Sequence, residues 1–309
     1  MQTPSRPSAP FVLGIDYGGT KIALATARPD GTLLHRAELP TLADAGAEQA
    51  LARSIAAGRT LIATTRIEGG GELSAIGVAS MGVTLEDRVL MAPNVPGWDR
   101  LAIPPTLRAA LGVERVVVDN DVRAAAAAEL RWGALAGVES AIYLNLGTGI
   151  MAVPIVAGQV VRGAHGAAGE IAYNLRHPGD IGGVREGRAP LEEFVGGGAV
   201  AARARRDFGE ACTPGELFAR IGADARARAF VEAILSEVAF HLGNLANALD
   251  PALVVVGGGF MRSRDIVLPF LAAHLERVVS FPPQVAEARF LLDASLQGSI
   301  ALAIHAAGE

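Results

Sequence analysis

Short apolar runs broken by glycine turns organise the chain from its start. Phe11–Ile15 reads as a buried strand that ends on Asp16-Tyr17-Gly18-Gly19-Thr20-Lys21. Ile22–Ala27 forms a second strand, and Pro29-Asp30-Gly31 marks the turn of a hairpin into Thr32–Leu39. A helix is predicted over 46–66, then a strand over 74–79 and a loop-rich stretch over 81–100. A helix from Pro104 to Leu111, a strand over 115–119 and an alanine-rich helix to Arg131 follow.

The plan restarts at Ser140. Ala141–Leu146 is a strand ending in Gly147-Thr148-Gly149, and strands over 150–156 and 160–162 flank the turn Ala157-Gly158-Gln159. A long loop fills 174–190, and helices are predicted over 191–206, 214–222 and 225–249. The strand Leu253–Val256 ends in Gly257-Gly258-Gly259, before a helix over 264–278, a strand near 288–292 and a last helix from Ser295. The two halves repeat one order of elements without clear sequence identity, which predicts an α/β protein of two lobes with a cleft between them.

Composition narrows the class. Of 309 residues 50% are hydrophobic and 19% charged, which excludes disorder as the main state. Lys and Arg number 27 against 32 Asp and Glu, a net charge of -5, so no nucleic-acid partner is expected. No uninterrupted apolar run reaches the eighteen or so residues of a membrane span, and the proline-punctuated start lacks the core of a secretory signal. A cytoplasmic protein without a membrane partner is the expectation. Cys212 is the single cysteine, which excludes a disulfide framework and a multi-cysteine zinc site. Glycine is abundant, 37 residues, so the glycine turns claim the next step.

Gly18 and Gly19 follow a strand, where backbone N–H groups can approach an anion without Cβ obstruction. Thr20 and Lys21 add a hydroxyl and a cation, and Asp16 suits a hydrated magnesium ion. A plain hairpin turn explains the same residues. Gly147-Thr148-Gly149 offers the same choice, and Gly257-Gly258-Gly259 fits either a flat ligand or close helix–strand packing. Asn120-Asp121 opens a helix, as an N-cap or as a carboxylate that takes a proton from an attacking hydroxyl. Asn94, Glu170, Glu192 and Glu193 are polar groups of the kind a polyol needs, or ordinary loop and helix-start residues. The serine elbow G-x-S-x-G is absent, and no G-x-G-x-x-G stands between a strand and a helix.

In order and spacing these pieces resemble the ROK family of bacterial sugar kinases, within the actin-like ATPase superfamily. The resemblance runs from about Phe11 to Ala307 and is carried by Gly14–Lys21, Pro93–Trp98, Asn120-Asp121, Leu146–Ile150, Arg162–Ile171 and Val255–Gly259. It implies two actin-like (ribonuclease H-like) lobes. After a tail over 1–10, the smaller lobe is 11–119 joined by the helix 295–309, and the larger is 120–294. It further implies ATP and Mg2+ as cofactors, a sugar as acceptor and a homodimer.

Carried over by position, Asp121 is the general base. Asn94, Asn120, Glu170, Tyr173 and Glu192 hold the sugar, and Asp16 lies near magnesium, reached through water. Gly18, Gly19, Thr20, Lys21, Gly147, Thr148 and Gly149 hold phosphates, with Gly257, Gly258 and Gly259 on the nucleoside. The chain departs from the family where a histidine and a cysteine-rich zinc module are usual. Tyr173 takes the histidine position, 174–190 has no cysteine, and Ile150–Val153 alters the stretch after Gly149, so no structural zinc is expected. Only about ten residues precede the first strand, too few for the winged helix of the family's repressors. The implied activity is a glucokinase-like phosphorylation of a hexose or related sugar. The competing readings are a weakly catalytic sugar- or nucleotide-binding protein and a polyphosphate-using kinase.

Overall fold

The computed structural model describes residues 9–308 apart from 70, 86, 91–94 and 182. It divides into two compact units, one running to Arg131 and taking in the chain from Leu292, the other spanning Trp132–Leu291.

The first unit is built on β1 (Phe11–Tyr17), β2 (Lys21–Ala27) and β3 (Leu33–Pro40), followed by α1 (Ala47–Ile67) and β4 (Leu73–Ser80). A small hairpin, β5 (Val83–Thr84) and β6 (Val89–Leu90), lies inside the stretch predicted as loop. Then come α2 (Ile103–Leu111), β7 (Val116–Asn120) and α3 (Asp121–Trp132). The sheet order is β3-β2-β1-β4-β7, with the first pairings antiparallel and β1–β4 and β4–β7 parallel. Alternation along β1 explains its two covered faces. Phe11, Leu13, Ile15 and Tyr17 enter a core with Leu24, Ile76 and Trp98, where Gly58 of α1 lies against Leu13.

The other face is covered by the C-terminal helix Ala294–Ala307, and glycine sets how close it comes. A Cβ on Gly77 would lie 1.9 Å from the Ser299 carbonyl oxygen and 2.7 Å from the Ala303 nitrogen. Backbone stands on both sides of that contact, so neither a rotamer change nor a small shift relieves it. Gly77→Ala is therefore expected to cost about 3 kcal/mol, read as a lower Tm for the folded variant. A Tm within a degree of the parent would refute this account of the helix–sheet contact.

The same helix corrects the predicted lobe boundary. Asn120 and α3 belong to the first unit, because β7 completes its sheet and Gly298 meets α3 with room only for hydrogen. A Cβ there would sit 2.0 Å from the Ala124 carbonyl oxygen.

The second unit repeats the sheet with β8 (Ala141–Leu146), β9 (Ile150–Val156), β10 (Gln159–Val160), β11 (Leu253–Gly257) and β12 (Gln284–Glu287), ordered β10-β9-β8-β11-β12. Its helices are α4 (Glu192–Val195), α5 (Gly197–Phe208), α6 (Pro214–Arg220), α7 (Ala225–Leu249) and α8 (Arg264–Val278). Two predicted elements move. The helix expected over 191–206 is split at Gly196, whose extended backbone (φ −61°, ψ 141°) brings it against the Thr148 carbonyl. The strand expected near 288–292 is Gln284–Glu287, an edge strand whose mixed polarity hides it, while Leu292 is exposed.

Among the described residues α7 is the one helix long and apolar enough to cross a membrane. Half of that apolar window is buried in the unit, where Val231, Ile234, Leu235, Val238 and Leu242 form its core.

Candidate active site

In the first unit the parallel strands β1, β4 and β7 end together. The register pairs Asp16 with Ala79 and Ala79 with Asp119, so Asp16 and Asp119 lie on one rung at the carboxyl ends. Asp121 stands two residues later as the first residue of α3. Its Oδ1 accepts the Val122 N–H at 3.0 Å, and burial raises its pKa despite that bond. Asp16 is pushed up to about 7, first by burial and next by the charge of Asp121, with Lys21 opposing. Asp16 is a hard oxygen ligand whose buried charge, opposed by that of Asp121, a divalent cation would offset. Magnesium fits there on chemistry.

Asn120 performs the capping task open to it in sequence. Its Oδ1 accepts from the N–H groups of Val122 at 2.9 Å and Arg123 at 3.4 Å, and its Nδ2 donates to the Gly82 carbonyl. Asp119 and Arg123 were not among the expected site residues. The Arg123 guanidinium donates from Nε to Asp119 Oδ1 at 2.6 Å, with both side chains buried, and Asp119 also accepts the Asn120 N–H at 2.8 Å. This pair fixes the strand-to-helix turn that presents Asp121. The Asp-x-x-x-Arg spacing is the signal that would have found it.

The Gly18–Lys21 turn closes with the Gly18 N–H donating to the Lys21 carbonyl at 3.0 Å. Thr41 braces it, donating its hydroxyl to the Gly18 carbonyl. Gly19 and Thr20 are exposed, and their N–H groups find no acceptor among the described residues. Lys21 shares acidic partners with Arg36: its Nζ is 3.1 Å from Glu38 and 3.8 Å from Asp293, while Arg36 grips Asp293 at 2.6 and 2.9 Å. Asn94 lies outside the described residues. The adjoining Val95–Trp98 turn is anchored by Trp98, fully buried, donating its indole N–H to Ser80 and meeting Tyr17 edge-on at 5.1 Å.

In the second unit Gly147-Thr148-Gly149 occupies the same topological place between two antiparallel strands. A Cβ at Gly149 would lie 2.4 Å from Glu192 Oε2, so a side chain there would displace the Glu192 carboxylate. That oxygen accepts the Ile150 N–H at 3.1 Å. Burial raises the Glu192 pKa, and the Tyr173 hydroxyl is raised by burial and by the charges of Glu170 and Glu192. Glu170, Tyr173 and Glu192 are thus brought into one electrostatic group. The phenol stays protonated at neutral pH and feels the charge of both carboxylates.

A cavity of about 450 Å³ lies in this unit, lined by Gly147, Thr148 and Gly259 from the expected set. Thr213, Phe218 and Arg262 also line it and were not anticipated, since they sit on separate segments without a motif. Phe218 and Phe260 meet edge-on at 5.7 Å and give the cavity an aromatic wall. Gly257 and Gly258 have a packing reason: Cβ atoms there would strike the Tyr143 hydroxyl at 2.4 Å and the Leu146 carbonyl at 2.5 Å.

The ROK family model matches residues 12–306. The chain belongs to the ROK family. Its fold is the actin-like fold of the family's sugar kinases. It is 29% identical to a glucokinase from Halalkalibacterium halodurans over 86% of this chain and 85% of that protein. It is also 29% identical to an N-acetylmannosamine kinase from Salmonella heidelberg, over 94% of this chain and 97% of the relative. Among solved structures, a ROK family glucokinase from Streptomyces griseus in complex with glucose and AMPPNP superposes with a TM-score of 0.73, at 25% identity, covering 95% of this chain and 99% of that one.

Proposed function

We propose that this ROK protein transfers the γ-phosphoryl group of ATP to a hydroxyl of a hexose or an N-acetylated hexosamine. The observation that carries the reading is Asp121. A carboxylate at the first position of a helix is ordinarily stabilised as the anion by the helix terminus. Burial outweighs that here and raises its pKa, which moves the group towards the range of a general base.

The reaction then has a simple balance. The sugar hydroxyl gives its proton to the Asp121 carboxylate as its oxygen bonds the γ-phosphorus, and the bond from that phosphorus to the bridging oxygen of ADP breaks. Asn120 and the Asp119–Arg123 pair hold Asp121 in place. A magnesium ion bound with the nucleotide would be held at Asp16 and would neutralise phosphate charge.

The exposed N–H groups at Gly19 and Thr20, with Lys21, are assigned to donor phosphates, as is the turn 147–149. The aromatic-walled cavity suits the nucleoside because a purine is flat and apolar on its faces. Glu170, Tyr173 and Glu192 are assigned to the sugar, together with Asn94 and Asn120. Each sugar hydroxyl both donates and accepts, which a phenol donor together with carboxylate acceptors satisfies.

The test is a coupled assay pairing ATP or polyphosphate with glucose, mannose, fructose, N-acetylglucosamine and N-acetylmannosamine. Sugar-dependent ADP release is the expected result. Release with none of the sugars rejects the reading, and turnover only with polyphosphate rejects the nucleotide assignment.

A further inference from the structure

Glu192 stands on α4, a helix of four residues that cannot hold itself in place by its own hydrogen bonds. Its support comes from outside, and one side chain joins most of that support together. Arg176 donates to both oxygens of Glu237, at 2.9 Å from Nε and 3.3 Å from Nη2, and its guanidinium carbon lies 3.6 Å from the centre of the Phe194 ring. Phe194 belongs to α4, and Glu237 to the core helix α7. Arg203 of α5 covers the same ring at 4.0 Å and donates to the Phe194 carbonyl.

The segment carrying Arg176 is itself fixed. Asp180 accepts the N–H groups of Arg176 and His177 at 3.0 and 3.2 Å, and Asn174 is bonded to His241 of α7 at 3.2 Å. Asn174 directly follows Tyr173, and the Leu191 N–H donates to the Ala172 carbonyl, tying the start of α4 to the turn that bears the phenol. Arg176 and Glu237 are 28% and 21% exposed, so the pair is shielded from much of the screening that weakens surface ion pairs. A planar fork that binds a carboxylate along its edge and an aromatic ring on its face is a task for arginine, not lysine.

We propose that Arg176 is a positioning residue for the acceptor side of the site, setting where Glu192 and Tyr173 stand through its joint hold on Glu237 and Phe194. The inference rests on the assignment of those two side chains to the sugar. It places acceptor affinity under the control of a contact that need not touch the acceptor.

Steady-state kinetics of Arg176→Ala, Arg176→Lys and Glu237→Gln test it, with the best sugar of the panel. Arg176→Ala is expected to raise the sugar KM about tenfold while the ATP KM changes less than about twofold. Arg176→Lys recovers only part of the loss, since it keeps the charge without the fork or the flat face. A folded Arg176→Ala with an unchanged sugar KM, or with both KM values raised alike, overturns the proposal. Should the alanine variant fail to fold, the same ratio is read from the other two, and no change in either overturns it. Calorimetric sugar binding without ATP separates the two claims. An inactive wild type overturns the kinase reading, whereas a sugar Kd unmoved by Arg176→Lys and Glu237→Gln overturns the positioning role.

Discussion

Asp121→Asn is expected to lower turnover by about a thousandfold while leaving the first unit folded. The substitution is nearly isosteric, and the asparagine Oδ1 can still accept the Val122 N–H that Asp121 accepts at 3.0 Å. Asn120 continues to cap α3, and the buried Asp119–Arg123 pair keeps the turn. What is lost is the site that receives the proton. The loss therefore falls on kcat, with sugar and ATP affinity close to the parent. The wild-type rate should also fall as pH drops below the raised pKa of Asp121, because the protonated acid cannot take the hydroxyl proton. The variant's residual rate should lack that limb. Coupled turnover across pH, with thermal melts of both proteins, decides the matter, and a variant with parental kcat removes Asp121 from the role of base.

The residues assigned to this site sit on local signals in the chain. Asp16 and Asp121 each follow a short apolar strand, and Gly18, Gly19, Gly147 and Gly149 mark turns at strand ends. The helix predicted over 225–249 is Ala225–Leu249, with Asp224 capping it by accepting the Arg226 and Ala227 N–H groups. What escaped depends on contacts between distant positions. The helix expected over 191–206 breaks at Gly196 because the turn at 147–149 packs there, a fact no local window contains. The strand at Gln284–Glu287 is defined by parallel pairing to β11, not by its own pattern. Arg176 reads as one more loop arginine until Glu237, 61 residues away, is placed beside it. A lobe boundary predicted after residue 119 puts the alanine-rich α3 in the wrong unit. The partner of that helix, Gly298, lies near the other end of the chain.

Asp16→Asn is expected to abolish most activity and, unusually for a site mutation, to stabilise the metal-free protein above neutral pH. The folded-state pKa of about 7 lies well above the ordinary carboxyl value of 3.8, so the folded chain binds this proton more tightly than the unfolded one. Relative stability from the group is therefore fully present below about pH 4 and is lost as pH rises towards 7. Above that range the ionised carboxylate costs roughly 4 kcal/mol, taking 1.36 kcal/mol for each unit of displacement. An asparagine carries no charge to bury, so the variant's Tm should exceed the parent's by several degrees at pH 8 and the gap should close near pH 4. A divalent cation offsets the same penalty by neutralising the charge. Magnesium with nucleotide should accordingly raise the parent's Tm at pH 8 more than the variant's. The catalytic loss follows from the same charge: without the Asp16 carboxylate the cation loses the ligand assigned to it, and the rate should fall at least about a hundredfold. Parallel Tm–pH curves for the two proteins, or retained magnesium-dependent turnover in the variant, would show that Asp16 is a packing residue. A crossing pattern, with the variant more stable and inactive, marks a charge kept for function at the expense of stability.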